Sequence, residues 1–262
     1  MNYGFFDYKY NIENFSSDLF STPHIVFIAL AFVSAILIVA FSNKTKTATV
    51  ERFLKIASIV VALFEITKIS WESYYDITTG RGFNTIGLLP LYTCSVYIYA
   101  MLVSAWGKGK PREYALSFLT TVSLLAGGIC VVQCNGLNYY PFWTFGAFYS
   151  LFFHYAMLAT GMFLLGSGYK KLNFSDALKA FVAVLVVSAI AIPVNYIFKA
   201  DYMLLYEAGG VPLLSSLAPK MASAGLRWLF TIIMLLTYIP MACVVIAVYK
   251  GVNLLVQKLK KR

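Results

Sequence analysis

Long apolar stretches separated by short polar loops dominate the hydrophobic pattern of this chain. A helix that crosses the hydrocarbon core of a bilayer, about 30 Å thick, needs roughly 20 mostly apolar residues. Seven stretches meet this requirement, and they are residues 23–42, 53–76, 84–106, 115–137, 143–168, 176–199 and 222–250. Open strands would leave backbone groups unpaired in lipid, so each stretch is predicted to be a helix. The pattern predicts an all-α polytopic membrane protein, a bundle of seven transmembrane helices.

Composition supports the same class of protein. Of the 262 residues, 60% are hydrophobic and only 12% are charged, whereas soluble domains carry about 25% charged residues. The mean hydropathy is +0.74. Because nearly every segment between the apolar stretches is too short to fold separately, residues 1–262 are predicted to form a single integral membrane domain.

The charged residues of the loops predict the orientation. The N-terminal arm is acidic, and Lys and Arg are concentrated in alternate loops and in the C-terminal tail. These basic groups are Lys44 to Lys55, Lys108 to Arg112, Lys170 to Lys179 and Lys258 to Arg262. Basic loops stay on the cytoplasmic side of a membrane. The N-terminus is therefore predicted to be outside and the C-terminus cytoplasmic.

The net charge of +10 does not indicate a nucleic-acid partner, because the cationic residues serve as topology determinants. The basic tail can instead contact anionic headgroups, so membrane lipids are the expected partners. The chain has two histidines and four cysteines without a CxxC pair, whereas a structural zinc site needs four such ligands. With no P-loop, GxGxxG or HExxH motif either, no metal and no cofactor are predicted.

The stretch GLLPLYTCSVY, from Gly87 to Tyr97, carries the first candidate chemistry. Cys94 and His154 lie in helices predicted to run in the same direction, each about 11 residues or 16 Å from the outer boundary. A thiol beside an imidazole that takes its proton is a nucleophile able to hold an acyl group. Pro90 is predicted to kink the helix one turn before Cys94. The alternative is that Cys94 is a small packing residue.

A charged stripe lies on the second predicted helix. The spacing of Glu65, Lys68 and Glu72 places all three on one face, with Trp71 beside them. Each charge exposed to lipid would cost about 2.5–3.5 kcal/mol on insertion scales. The stripe is therefore predicted to face the bundle interior, either as polar support for a site or proton relay or as an ion pair that only fixes helix packing.

Three further polar residues lie near the predicted helix ends. Asn195, shortly after Pro193, can hydrogen-bond across helices. Arg227 can extend to the interface or bind a phosphate or carboxylate bidentately. His24 is expected at the outer interface. The long loop 200–221 between the last two helices is apolar enough to be an interfacial helix or to fold back into the bundle.

Several of these residues together resemble the YwaF-type bacterial integral membrane proteins. The markers are the His24 region, Glu65 in EITK, Leu89 to Cys94 in LPLYTC, His154 in FFHYAML, and Asn195 followed by Asp201 to Leu204. The bacterial pattern resembles LPLHLC, so Tyr92 stands where a histidine is expected. The resemblance covers most of the chain and implies a site between the second, third and fifth helices.

Eukaryotic relatives of that family include a transmembrane acyltransferase that remodels ether phospholipids. Its cysteine follows the proline directly in a PCH motif, a position that Leu91 occupies here. Only Cys94 can therefore supply a thiol, whereas His154 matches more closely. The resemblance implies lipid acyl transfer or hydrolysis, with Cys94 as nucleophile, His154 as base, and Glu65, Lys68, Tyr92 and Asn195 as polar support. Arg227 would then bind the substrate.

Two other functions fit the same residues. A transporter or channel for a small solute or lipid needs only the charged stripe, proline-interrupted helices and a pathway open to both sides. A non-catalytic membrane scaffold needs a polar face whose charges are fully paired. The distance between the Cys94 sulfur and the His154 nitrogens distinguishes these functions, because only the enzyme requires the two groups to be within hydrogen-bond reach.

Overall fold

A computed structural model describes residues 4–9, 12, 15–80, 82, 85–209 and 212–260, and every regular element among them is helical. The helices are α1 (Thr22–Ser42), α2 (Thr47–Thr78), α3 (Thr85–Leu88), α4 (Val96–Trp106), α5 (Gly109–Leu119), α6 (Val122–Val132), α7 (Phe145–Gly166), α8 (Ser175–Phe198), α9 (Pro212–Ser223), α10 (Arg227–Leu236) and α11 (Tyr238–Lys260). Single 3-10 turns occur at Asn135–Asn138 and Tyr202–Leu204. The all-α prediction is confirmed.

Within the described ranges, five segments are long and apolar enough to cross a membrane. They are Thr22–Ser42, Gly109–Asn138, Phe145–Gly166, Ser175–Phe198 and Arg227–Leu259. The protein is thus a multi-pass membrane protein. The second and third predicted spans are not among the five, because the second carries several charges and the third is not one continuous helix. The count of seven spans stays a prediction.

Helix α2 is long and regular despite its charges. Its buried positions Val50, Leu54, Ser58, Val61 and Glu65 recur every three or four residues. That spacing places them on one face of a helix. Glu65 thus shares its face with packing residues, and the prediction that this carboxylate points inward is confirmed.

The third predicted span, 84–106, is interrupted. Helix α3 ends at Leu88, the backbone is irregular from Leu89 to Ser95, and α4 begins only at Val96. Pro90 has no N–H to donate, and a residue that precedes proline is driven away from the helical region. The prediction of a continuous, kinked helix was wrong here, and Leu89–Ser95 is called the interrupted segment below.

Two other predicted spans also contain breaks. Residues 115–137 divide between α5 and α6 at Thr120 and Thr121, and 222–250 divides between α10 and α11 at Thr237. At each break threonine hydroxyls donate to carbonyls of the preceding turn, Thr120 to Leu116 at 2.7 Å and Thr237 to Met234 at 2.6 Å. Such bonds offer the backbone an alternative to the helical ladder.

The chain forms two compact units, each from two stretches of sequence. The first comprises Met1–Asn84 and Ser123–Lys171, and the second Thr85–Val122 and Leu172–Arg262. In the first unit α1 and α2 pack along α7. In the second α5 packs between α4 and α8, and α11 packs along α8. The single membrane domain stays a prediction.

Candidate functional site

Cys94 lies in the second unit, on the interrupted segment just before α4, and is half-buried. Its neighbour Thr93 has its hydroxyl 2.6 Å from that of Tyr238 on α11. The Tyr99 hydroxyl of α4 donates to the Pro90 carbonyl at 3.0 Å. Side chains of two helices therefore hold the segment. Because no continuous helix leads to Cys94, the depth of about 16 Å calculated at 1.5 Å per residue does not apply to it.

The loop after α8, Lys199–Gly209, is called the Asp201 loop here. The Asp201 carboxylate accepts hydrogen bonds from four backbone N–H groups, those of Tyr206 at 3.0 Å, Glu207 at 2.9 Å, Ala208 at 3.3 Å and Gly209 at 2.8 Å. A carboxylate that accepts several N–H groups forms strong, charge-assisted bonds. One aspartate thus determines the path of the second half of the loop.

The Asp201 loop contains unusual backbone conformations. Lys199, Met203, Leu204 and Ala208 have φ values of 54°, 58°, 60° and 50°, in the left-handed region that residues other than glycine rarely adopt. Each such residue costs roughly 1–3 kcal/mol and persists only where the surroundings enforce it. The strain is local to the loop, so surrounding hydrogen bonds must hold it.

Asn195 supplies two of those hydrogen bonds. It is fully buried in the last turn of α8, where its Nδ2 donates to the Tyr202 carbonyl at 2.9 Å and its Oδ1 accepts from the Tyr202 N–H at 2.8 Å. Both bonds lead to the loop that follows the same helix rather than to another helix. Asn195 therefore positions the Asp201 loop.

The interrupted segment and the Asp201 loop meet through tyrosines. The rings of Tyr92 and Tyr202 are 4.8 Å apart in an edge-to-face arrangement. The Tyr238 hydroxyl donates to the Met203 carbonyl at 3.4 Å, so Thr93 is the donor in its bond to Tyr238. Burial, with a smaller contribution from Tyr92, raises the pKa of Tyr202 to about 12. This tyrosine network joins the two segments within the second unit.

Arg227 begins α10 and also contacts the Asp201 loop. Its Nη1 donates to the Tyr206 carbonyl at 3.0 Å, and its guanidinium lies 3.9 Å from the centroid of the Tyr206 ring. It lines a cavity of about 250 Å³ together with Glu207, Gly209, Ser215 and Pro219. Tyr206 is its hydrogen-bond partner among the described residues, and a guanidinium has five N–H donors. Further donors therefore remain for a phosphate or carboxylate.

His154 lies in the first unit, half-buried near the middle of α7. Its Nδ1 is 2.7 Å from the Ser150 carbonyl oxygen, which can only accept. In a neutral imidazole Nδ1 therefore carries the proton and Nε2 is the acceptor, as a general base requires. Helix α6 passes close to this turn at Gly127, where a Cβ would lie 2.8 Å from the His154 carbonyl oxygen.

The side chains of the charged stripe of α2 have hydrogen-bond or ion-pair partners within the first unit. The Tyr149 hydroxyl of α7 donates to the buried Glu65 carboxylate. Lys68 and Glu72 form an ion pair at 2.7 Å. Trp71 Nε1 donates to the Phe6 carbonyl at 3.0 Å. These contacts match the packing interpretation of the stripe.

His24 is buried near the start of α1, within the first unit. Its side chain is fully buried, with Nδ1 accepting from the Phe20 N–H at 3.0 Å and Nε2 3.0 Å from the Val131 carbonyl oxygen. The acceptor at Nδ1 makes Nε2 the donor. Both ring nitrogens are thus used in joining the start of α1 to α6, and the position of His24 at the membrane interface stays a prediction.

The predicted site residues divide between the two units. Tyr92, Cys94, Asn195 and Arg227 belong to the second unit, where contacts with the Asp201 loop bring Tyr92, Asn195 and Arg227 together. Glu65, Lys68 and His154 belong to the first. The pairing of Cys94 with His154 stays a prediction. No cluster of three His, Cys, Asp or Glu able to hold a metal occurs in the described part of the chain.

From the sequence, Thr93, Asp201 and Tyr202 are named only within the markers of the resemblance and have no assigned role, and Tyr238 is not named at all. Thr93 and Tyr238 are polar-tipped residues inside apolar stretches, where a buried hydroxyl needs a partner. Asp201 is an acidic residue next to a helix end that contains Pro193. These signals mark the residues as constrained without identifying the partner of each.

A sequence model of the TMEM164 family matches residues 19–249. The match covers most of the chain, which therefore belongs to the TMEM164 family, a family of transmembrane proteins. Neither the curated proteins nor the solved structures contain a match to it.

Proposed function

We propose that this member of the TMEM164 family is a membrane-embedded lipid acyltransferase or acyl hydrolase, with Cys94 as the nucleophile. The observation that carries the proposal is the position of Cys94 on the interrupted segment. A cysteine inside a continuous helix packs against its neighbours, whereas this one lies where the backbone leaves the helix, on a segment that side chains of α4 and α11 hold. Irregular backbone is tolerated at membrane depth only inside protein or beside a cavity.

The environment of Cys94 suits negative charge. It lies directly before the first turn of α4, an 11-residue helix. The N-terminal end of a helix carries a partial positive charge that stabilises anions. A thiolate, or the oxyanion that forms when a thiolate attacks an ester, gains from that position.

His154 is the proposed base. Its Nε2 takes the proton of the Cys94 thiol as the sulfur attacks the carbonyl carbon of a lipid ester. The ester C–O bond breaks, the leaving alcohol takes the proton back from His154, and a thioester remains on Cys94. The hydroxyl of a second lipid, or water, then passes its proton to Nε2 and attacks the thioester. The new ester or free acid leaves, and the sulfur regains the proton.

The other predicted residues complete the proposal. The guanidinium of Arg227, stacked on Tyr206 beside a cavity, binds the phosphate or carboxylate of the substrate. Tyr92 and Asn195 shape the interrupted segment and the Asp201 loop. Glu65 and Lys68 support α7, the helix of His154, through Tyr149.

The same proposal assigns the topology. Helix α2 and the α3–α4 pair cross the membrane in addition to the five apolar segments, which gives seven crossings. The N-terminus lies outside and the C-terminus in the cytoplasm, as the basic loops indicate. We place the protein among the YwaF-type proteins of the bacterial plasma membrane.

Purified protein in proteoliposomes with isotope-labelled phospholipid tests the catalytic proposal. The wild type should move or release labelled acyl chains. Removing a positioned base lowers the rate about 10²–10⁴-fold, so His154→Ala should fall by that factor and Cys94→Ser at least as far. Cys243→Ser, which changes another half-buried cysteine, is the matched control. Wild-type rates in both Cys94→Ser and His154→Ala would refute the mechanism.

Transport of a small solute or lipid is the second candidate, and the interrupted segment favours it too, because discontinuous helices build the binding sites of many transporters. Flux across liposomes separates the two functions. A pH-dependent flux that survives Cys94→Ser and disappears in Glu65→Gln would establish transport. An acyl-transfer rate that disappears in Cys94→Ser and persists in Glu65→Gln would establish the enzyme.

A further inference from the structure

An apolar groove lies within the second unit, between α4, α5 and α8. Its volume is about 350 Å³. The lining residues are Val96, Tyr99, Ala100, Val103, Pro111, Tyr114, Ala115, Val182, Ala183, Val186 and Val187. None of these described lining residues is charged, and their only polar side-chain atoms are two tyrosine hydroxyls.

The groove adjoins the segment that carries Cys94 through Val96 and Tyr99. Its first lining residue, Val96, follows Cys94 by two positions. Tyr99 both lines the groove and donates to the Pro90 carbonyl at 3.0 Å. Along α4 the lining continues to Val103, which is about 10 Å at 1.5 Å per residue.

Small residues give the groove its width. Ala100 of α4, Ala115 of α5 and Ala183 of α8 each contribute a methyl group to the lining. Ala100 and Ala115 are buried, whereas Ala183 is half-buried. A larger side chain at Ala183 would enter the groove without displacing the core between the helices.

We infer that this groove is the acyl-chain subsite, which holds the fatty acyl chain of the lipid whose carbonyl group reacts at Cys94. The inference rests on the proposed function and adds the residues that select the chain. The volume lies near the lower end of the range of about 300–1,000 Å³ found for small-molecule sites. The lining of the groove begins two residues after the proposed nucleophile and continues along α4, so the chain would lie beside the helix that Cys94 precedes.

The bilayer limits what the groove contributes. Lipid tails are as apolar as the side chains of valine and leucine, so moving a chain from lipid into the groove brings little hydrophobic gain. The fit of the chain to the walls of the groove is what remains. A single methylene in a hydrophobic pocket is worth about 10–200-fold at most, and here steric exclusion supplies the discrimination. The groove therefore selects chain length and shape rather than providing affinity.

Acyl selectivity tests the assignment. Proteoliposomes receive equal amounts of stearoyl and octanoyl phospholipid, and the ratio of the two transfer rates is measured for each variant. Ala183→Phe should lower the stearoyl-to-octanoyl ratio by at least about tenfold. Ala189→Phe places the same side chain at an exposed position of α8 outside the groove and should keep the wild-type ratio. Equal ratios in the wild type and Ala183→Phe would overturn the subsite.

A binding measurement separates this inference from the catalytic proposal. A phospholipid with a diazirine in the middle of its acyl chain should cross-link, on illumination, to peptides that contain Val103, Tyr114 or Val182. The cross-link should persist in Cys94→Ser and disappear in Ala183→Phe. Cross-linking that is absent from these peptides, or unchanged by Ala183→Phe, would overturn the subsite. Acyl transfer that persists in Cys94→Ser would instead overturn the proposed function while the cross-link still reports the groove.

Incorrect folding would mimic loss of the subsite. Each variant is therefore compared with the wild type by size-exclusion chromatography in detergent before assay. Ala183→Leu provides a smaller step, with a ratio between those of the wild type and Ala183→Phe. A folded Ala183→Leu protein with the wild-type ratio and the wild-type cross-link would contradict the inference.

Discussion

Two polar regions of this protein provide hydrogen-bond partners for their polar groups in different ways. In the first unit the stripe of Glu65, Lys68 and Glu72 lies on an unbroken helix, and its polar groups bond to Tyr149 or to each other. In the second unit the interrupted segment and the Asp201 loop leave the helix altogether. There the polar groups are backbone amides and hydroxyls, and side chains such as Asn195 and Asp201 satisfy them.

The difference shows which region is built for packing. A charge on a regular helix needs one partner, and an i,i+4 residue or a neighbouring tyrosine supplies it. Irregular backbone needs a separate partner for each buried N–H and carbonyl group, and residues with positive φ add strain. The second region therefore requires a whole network to persist. Such a network fixes the geometry of the polar groups, so the second region is the better candidate for a functional site.

Removing the centre of the network should have the largest effect on stability. Asn195→Ala leaves the N–H and the carbonyl of Tyr202 without their partner, and each buried unsatisfied group costs about 1–3 kcal/mol. The free energy of unfolding should fall by about 2–6 kcal/mol, measured by equilibrium unfolding in mixed detergent micelles. Asn253→Ala, at an exposed position of α11, is the control and should be near neutral. Equal stabilities of the two variants would contradict the role of Asn195.

Substitutions in the stripe should lower the stability of the protein and leave its rate of acyl transfer unchanged. Glu65→Gln weakens the charge-assisted bond from Tyr149 and should cost about 1–2 kcal/mol. Acyl transfer by the folded fraction should persist, because in this account Glu65 supports α7 without touching substrate. Tyr149→Phe should cost a similar amount, and the double variant should lose less than the sum of the two. Additive losses would show that the two residues do not act as a pair.

The Lys68–Glu72 ion pair should contribute less. Half-exposed pairs at this spacing stabilise helices by about 0.3–0.5 kcal/mol. A double-mutant cycle with Lys68→Ala and Glu72→Ala, read from unfolding free energies, should return a coupling of that size. A coupling above about 2 kcal/mol would mean that the pair is fully desolvated. In that case the stripe, like the polar region of the second unit, would depend on fully buried polar interactions.

Tyr202 should have the smallest effect at neutral pH, because its contribution changes only at alkaline pH. Its pKa is raised from 10.0 to about 12 in the folded protein, so the unfolded chain loses the proton first as the pH rises. The stabilising contribution is complete below pH 10 and is lost as the pH rises towards 12. The wild type should therefore lose more stability over that interval than Tyr202→Phe does. Parallel stability curves for the two proteins would contradict the burial of this phenol.

Much of the fold could be predicted from the sequence. The 3.6-residue period places Val50, Leu54, Val61 and Glu65 on one face of α2, and the structure agrees. The interruption at Leu89–Ser95 could not be predicted, because the apolar run is continuous through it and hydropathy contains no information on backbone dihedrals. Pro90 is the local signal, and it is compatible with either a kink or a break.

The candidate site was harder to predict for a different reason. Periodicity shows which face of a helix is buried, but it does not identify the partner of a polar group from a distant part of the chain. His24 bonds to Val131, and Thr93 bonds to Tyr238. Both pairs join residues more than one hundred positions apart in sequence. Only the folded chain reveals them.

Direct detection of an acyl group on Cys94 is the most decisive measurement. Protein purified with its lipids, or incubated with labelled phospholipid and stopped with acid, is digested and analysed by mass spectrometry. The account predicts an acyl thioester on the peptide that contains Cys94, removed by neutral hydroxylamine, and absent from Cys94→Ser. An adduct that persists in Cys94→Ser, or a wild-type protein that transfers acyl chains without any adduct at Cys94, would contradict it.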